Sequence, residues 1–568
     1  MRRWRALFVL GTAQFLMVLD TSVMNVSISR LVEDFDTEVT AIQAVITLYT
    51  LVMAAFMITG GRLGDTFGRR RTFAVGLAVY GAGSAITAVA PELWVLAAGW
   101  SVVEGLGAAL VLPALAALVA GAYRGRDRAV AYGVIGGLAG AGIAVGPLLG
   151  GWVTTYLTWR VVFAGEVVMV LALLCCIRWI DDRPLTGPRV RIDGVGAALS
   201  AVGLGLVVLG VLQSSSWGWV RPRNAPFTVF GFAPTLAVIA AGAVVLALFR
   251  AWERRREARA RDPLVRFSLF GVPPLRAGLA LLLCQNLVLL GLFFVIPLYL
   301  QVVLGFDAFQ TGLRLLPVSV TMLVASLSGP FLLRIAGPRT VVRIGLLVLF
   351  AAVLWLLAVI EPQIDDAQFA ASMALLGLGM GLLASQLGNV VQSGVGEADR
   401  SEAGGLQYTA QNLGSSLGTA LMGSILIGAL VSVFTTQIED DPRVSSAARE
   451  QTGIAVEAGV SFVGTEQVRA AGVQAGLPPA EVEAIVSSYA DAQLGSLKAA
   501  ILTAAGVTLA AYPFTRGLPG GRPTRRDGGD GGHGGHGGHG GDGGDGGDGG
   551  DEGEDGEAIG RDGVPNPA

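Results

Sequence analysis

Apolar residues along this chain neither alternate with polar ones nor recur only at one helical face; they run on without a break. Uninterrupted stretches of roughly 18 to 25 apolar residues, parted by short polar turns, fill almost the whole length. A run of that size crosses a hydrocarbon core of about 30 Å as a helix whose backbone hydrogen bonds close internally. The pattern predicts fourteen spans, at residues 6–28, 41–60, 72–90, 93–121, 129–155, 161–179, 194–215, 227–249, 277–300, 311–333, 340–360, 367–396, 403–433 and 495–514. The expectation is an all-α membrane protein. No small-residue cleavage site follows the first run, ALFVLGTAQFLMVLDTSVMNV, so it is expected to stay as a span and not to be removed as a leader.

Breaks in the pattern predict the organisation. The arginine-rich run Arg250 to Arg266 separates the last six spans from two that precede it. This gives a six-helix bundle over 1–180, two linker helices over 181–270 and a second six-helix bundle over 271–515. The last region includes a segment, 434–494, expected outside the membrane as short surface helices. Residues 516–568 differ in kind: repeats such as DGGDGG and HGGHGG offer nothing apolar to bury and predict a disordered tail. Its His533, His536 and His539 have the chemistry for weak divalent-metal binding, but a solvated low-complexity tail is the favoured account of them, and no metal site is expected.

Composition removes the soluble alternatives. The 568 residues are 52% apolar and 15% charged, against about 25% charged in a soluble globular chain, and the mean hydropathy is +0.61. Charge then sets the orientation. Placing the amino terminus in the cytoplasm puts most arginines in cytoplasmic loops, as the positive-inside rule demands, and brings both termini to that side. Cys175, Cys176 and Cys284 fall within or at the ends of spans and read as small hydrophobes, with no disulfide framework.

Between spans two and three stands GRLGDTFGRRR. Glycines permit a tight turn, and Asp65 can pair with arginines while facing a helix amino terminus. With Gly61, Leu63, Gly64, Asp65, Gly68, Arg69 and Arg70 in place, the stretch resembles the signature loop of the major facilitator superfamily. That resemblance implies two six-helix bundles rocking around a central site, with this loop as a conformational switch. Span five reads GAGIAVGPLLGGW: Gly142, Gly146, Pro147, Gly150 and Gly151 allow close helix approach and a bend. The fuller pattern looks like the motif of antiporter branches of the superfamily, implying export. LDTSVMNVSIS, with Asp20 and Asn25, is similar to an element of the fourteen-span drug:proton antiporters, as is FFVIPLYLQVVLGFDAFQTGLRLLP at 293–317.

Few ionisable groups lie at membrane depth, and each is costly there unless it faces protein or water. Asp20 and Glu104 fall near mid-span, and Glu166 lies closer to an outer surface. Desolvation disfavours the charged carboxylate, which suits proton exchange; a neutral acid hydrogen-bonded between helices is the plainer account. In the fourth span, Ser101 to Gly105 read SVVEG where the family carries Arg-x-x-Gln-Gly. Either Glu104 takes over as the protonated group or its charge recruits cationic substrates. Gln285, Asn286, Gln386, Asn389, Gln407, Tyr408 and Gln411 offer amides and a hydroxyl for substrate, or equally for joining helix to helix.

The resulting expectation is a secondary transporter of the bacterial inner membrane, a monomer, exchanging protons for a drug-like or amphiphilic compound. A proton-independent facilitator or importer of the same fold is the alternative. The chain lacks GxxxxGK[ST], a nucleophile-and-base pair and a large soluble domain, so nucleotide-driven pumping, enzymatic catalysis, cofactors and nucleic-acid partners are not expected.

Overall fold

The computed structural model describes residues 2–37, 39–181, 193–220, 222, 225–259, 261–396, 399–446, 448–449 and 462–520; the side chains of a few helix residues, Asn25 and Pro147 among them, lie outside that description. The tail with His533, His536 and His539 also falls outside it. The regular secondary structure of the described residues is helical apart from one isolated bridge between Val229 and Phe232.

In order the helices are α1 (Arg2–Val26), α2 (Ile28–Asp34), α3 (Val39–Phe67), α4 (Arg69–Ala88), α5 (Leu93–Leu96), which passes through a π-helical segment (Ala97–Glu104) into α6 (Gly105–Ala122), then α7 (Gly125–Tyr156) and α8 (Arg160–Cys175). Next come α9 (Gly194–Leu212), α10 (Ser214–Trp217) and α11 (Pro234–Ala258). The remainder are α12 (Pro273–Leu298), continued by a π-helical turn (Tyr299–Val303), α13 (Ala308–Ile335), α14 (Pro338–Val359), α15 (Asp366–Ser393), α16 (Arg400–Asp440), α17 (Thr465–Gln474) and α18 (Pro479–Ala511).

Local chemistry sets these boundaries. Proline opens α11, α12, α14 and α18 at the first turn, where its missing N–H costs nothing. Asp193 and Asp365 accept backbone N–H groups at the starts of α9 and α15, and Asp307 forms a capping box with Gln310 on α13. Between α3 and α4 the chain turns at Gly68, whose φ of +95° belongs to the left-handed region.

Twelve helices among the described residues are long and apolar enough to cross a membrane. The expected fourteen includes two more, α4 and α8; both form, but α4 begins with three arginines and α8 has 16 residues. Expected span eight starts seven residues late: Phe230 and Gly231 take positive φ values in a turn, and the helix then begins at Pro234 and runs into the charged segment. The short surface helices expected over 434–494 are only partly present. α17 is one, but α16 and α18 run 41 and 33 residues, about 60 and 50 Å at 1.5 Å per residue. Their apolar faces meet toward the end of α16 and the start of α18: Leu430, Phe434 and Ile438 pack with Ile485, Tyr489 and Ala492. An apolar stripe with a partner continues the helix, whereas one without would lie on a surface.

Candidate functional site

Four helices and the π-helical segment gather three acids. α1 supplies Asp20, the π-helical segment ends at Glu104, and α8 supplies Glu166; they are 1%, 0% and 2% exposed, so none meets water. One carboxylate oxygen from each lies within 4.8 Å of the others. Trp100 donates its indole N–H to both oxygens of Asp20, at 2.9 and 3.1 Å, and stacks on Tyr49 of α3 with centroids 4.5 Å apart. Ser84 of α4 donates to Glu166 at 3.1 Å. The buried hydroxyls of Tyr49 and Tyr80 have no hydrogen-bond partner among the described residues. Neither Glu104 oxygen has a hydrogen-bond partner among the described residues.

Close packing makes the cluster possible. A Cβ on Gly83 would lie 2.6 Å from the Glu104 nitrogen and 2.7 Å from the Gly99 carbonyl, so only glycine lets α4 approach the π-helical segment. Such segments widen a helix by one residue and favour functional positions; here the widening carries Trp100 and Glu104 toward α1.

Among the described residues no arginine, lysine or histidine pairs with any of the three acids. At 4.8 Å two full negative charges repel by roughly 3 kcal/mol even at an effective dielectric of about 20. Such repulsion disfavours three full negative charges side by side. The same spacing would also let three oxygens surround a hard cation.

A second network joins helices distant in sequence. Asp65 lies 3.8 Å from Arg69 and 4.0 Å from Arg62, while Arg62 reaches Glu402 of α16 at 3.7 Å. Arg69 donates to Ser401 Oγ at 2.9 Å, and Arg70 donates to the Ile180 carbonyl at 3.3 Å. A Cβ on Gly61 would stand 2.7 Å from the Ser401 carbonyl oxygen, which places α3 and α16 in backbone contact. Arg266, between α11 and α12, donates its backbone N–H to Glu402 and pairs with Asp399 and Glu402.

The glycines of span five face α1. A Cβ on Gly146 would lie 2.1 Å from Ser22 Oγ; Gly142 meets Val18 and Gly150 meets Val23. Gly151 shares α7 with them, as does Pro147, whose side chain lies outside the described residues. This packing holds the helix that carries Asp20.

The other candidates do not form one cluster. Gln285 donates to the Met380 carbonyl at 3.3 Å, and Asn286 donates to Leu282 in its own helix. Gln386 contacts Ser385, Gln407 is buried and Gln411 half-buried. Asn389 accepts from Arg128 of α7 at 2.9 Å and Tyr408 donates to Gln14 of α1 at 2.8 Å; both contacts link early helices to late ones. The side chain of Asn25 lies outside the described residues.

Sequence reasoning passed over Tyr49, Tyr80, Ser84 and Trp100, and over Arg266, Asp399, Ser401 and Glu402. Spacing held a signal for some: Trp100 and Glu104 stand four apart, as do Tyr80 and Ser84, which puts each pair on one helix face.

A family model for the Major Facilitator Superfamily matches residues 10–419. The chain belongs to the Major Facilitator Superfamily. It is thus an integral membrane transporter and not an enzyme. Over 475 residues it is 31% identical to the probable actinorhodin transporter of Streptomyces coelicolor, covering 82% of this chain and 78% of that one. Over 441 residues it is 33% identical to the puromycin resistance protein pur8 of Streptomyces alboniger, covering 75% and 82%. The multidrug efflux pump LfrA of Mycolicibacterium smegmatis shares 29% over 515 residues, with 90% and 95% covered. The human organic anion transporter MFSD10 superposes with a TM-score of 0.58 at 14% identity, covering 90% of this chain and 99% of that one, so the fold is common to both.

Proposed function

We propose that this superfamily member exports drug-like or amphiphilic small molecules from a bacterial cell by proton antiport, as a fourteen-span protein of the plasma membrane with both termini in the cytoplasm. Two six-helix bundles, α1–α8 and α12–α18, rock about a central site, and α9 and α11 form the linker between them. The carrying observation is the trio Asp20, Glu104 and Glu166, buried within 4.8 Å of one another and without a cationic partner among the described residues. A group that exchanges protons changes its total charge as it loads and unloads. A charge change favours one state of an alternating pair over the other. Relatives named for actinorhodin transport, puromycin resistance and multidrug efflux support the direction and the substrate class.

In this reading Glu104 supplies the proton-binding group that the family's arginine-bearing fourth span lacks here. The Asp65–Arg62–Glu402 contacts hold the cytoplasmic ends closed, and loading of the acid group opposes or favours their release. Gln407, Gln411, Asn286 and Gln386 remain candidates for substrate contact.

The test uses purified protein in proteoliposomes with a set outward proton gradient, the lumen acidic, and puromycin as first probe, followed by other amphiphilic antibiotics. Accumulation should follow the proton gradient, and adding substrate to protein in weakly buffered detergent should release protons. Transport indifferent to the gradient, with no proton release, would establish a facilitator. Metal-dependent transport at fixed pH would assign the three oxygens to a cation.

A further inference from the structure

The linker pair carries none of the motifs used above, yet its end nearest the Asp65 network is the most basic part of the chain. Trp252, Arg255, Arg256, Arg259 and Arg261 line a pocket of about 130 Å³. One wall is fixed. Asp193, the cap of α9, accepts from the Trp252 indole at 2.7 Å and pairs with Arg256 at 3.2 Å; Arg256 also donates to the Asp262 carbonyl at 2.8 Å. Arg255, Arg259 and Arg261 are exposed, and no acidic side chain among the described residues pairs with them.

This chemistry selects a phosphate. Guanidinium groups match its oxygens in geometry as well as charge, better than an ammonium does. An indole beside them sits at headgroup level, where apolar body and polar edge are both accommodated. α11 carries this cluster at the end of an apolar span, the position at which basic groups meet anionic lipid.

The pocket is tied to the gate by hydrogen bonds. Glu253, on the turn before Arg256, is 0% exposed. It accepts the Leu264 N–H at 2.7 Å and the Val265 N–H at 3.4 Å, fixing the segment that delivers Arg266. Arg266 meets Glu402 at 3.5 Å and also pairs with Asp399, and Glu402 meets Arg62.

We propose that the arginine pocket of the linker pair binds the phosphate of an anionic phospholipid, and that its occupation stabilises the closed Asp65–Glu402 network through Glu253 and Arg266. The side of the membrane rests on the reading of orientation above. Arg266 acts here as a positioning residue.

Two measurements test it, neither of which involves transport, so a failure of proton coupling would leave both unchanged. Native mass spectrometry of the full chain should show retained phosphatidylglycerol, and Arg255→Gln with Arg259→Gln and Arg261→Gln should lose it. Spin labels at Phe67 and Ser393, with Cys175, Cys176 and Cys284 replaced by alanine, report the gate in nanodiscs. The closed population should exceed the open one by roughly fivefold more in phosphatidylglycerol than in phosphatidylcholine, the low end of ordinary coupling. Arg266→Gln should keep the lipid yet lose its effect on the distance. Equal distances in both lipids, or a lipid effect that survives the triple variant, would overturn the proposal. Inorganic phosphate reproducing the effect in phosphatidylcholine would assign the pocket to a soluble anion and refute the lipid. Should the triple variant fold poorly, Arg255→Gln alone and the wild-type lipid comparison still decide.

Discussion

A carboxyl group sealed from water is held by its neighbours, and the neighbours of Asp20, Glu104 and Glu166 differ. Asp20 takes the Trp100 N–H on both oxygens, Glu166 takes the Ser84 hydroxyl, and Glu104 takes neither. Glu104 is thus the member with least to hold a charge in place, and its proton binding answers most directly to the state of the other two. Asp20→Asn and Glu104→Gln keep volume and remove the exchange. Each should lower proton-driven efflux in everted vesicles by roughly 5- to 150-fold, the range of ordinary coupling free energies, while equilibrium exchange of labelled substrate without a gradient persists. Undiminished uphill efflux in both variants would take the proton site away from this cluster.

At the scale of elements, two contacts depend on the absence of a side chain. Gly146 touches Ser22, and a Cβ there would lie 2.1 Å from the hydroxyl and 2.3 Å from Ser22 Cβ. Gly146→Ala should cost roughly 1 to 3 kcal/mol through overpacking of α1 on α7, read as a lower Tm in detergent. Ser22→Gly in the same chain should restore most of it, and a double variant no more stable than the single would show that the contact does not limit packing. Gly68 holds a φ of +95° between α3 and α4. Gly68→Ala strains that turn by roughly 1 to 3 kcal/mol, and an unchanged Tm would mean that the turn relaxes freely. Both glycines were legible in the sequence as parts of short motifs, because tight turns and close helix approach leave local signatures. The partners were not. Nothing local to Gly146 names Ser22, and the π-helical widening that turns Glu104 toward Asp20 has no periodicity of its own in a uniformly apolar run.

For the whole molecule, the spans could be read because lipid demands long apolar helices whatever their neighbours. The extended α16 and α18 and the closure of the chain on itself could not. Arg69 and Ser401 are 332 residues apart, and a charged group at a helix end reads alike whether it meets water or another helix. Yet Arg62, Glu402 and Asp65 form one buried set, with side chains 4%, 1% and 5% exposed, and the half-buried Arg266 reaches it from the surface. Removing one charge from such a set leaves its buried partner with one counter-charge fewer, which destabilises the closed arrangement more than loss of the whole pair does. Arg62→Gln and Glu402→Gln should each raise the open population seen between labels at Phe67 and Ser393. The double variant should open less than the two effects added, with an interaction energy of roughly 0.5 to 3 kcal/mol between contacting residues. Strict additivity would mean that Arg62 and Glu402 act on the gate separately, and that Asp65 alone, through Arg69 and Ser401, holds the early helices to the late ones.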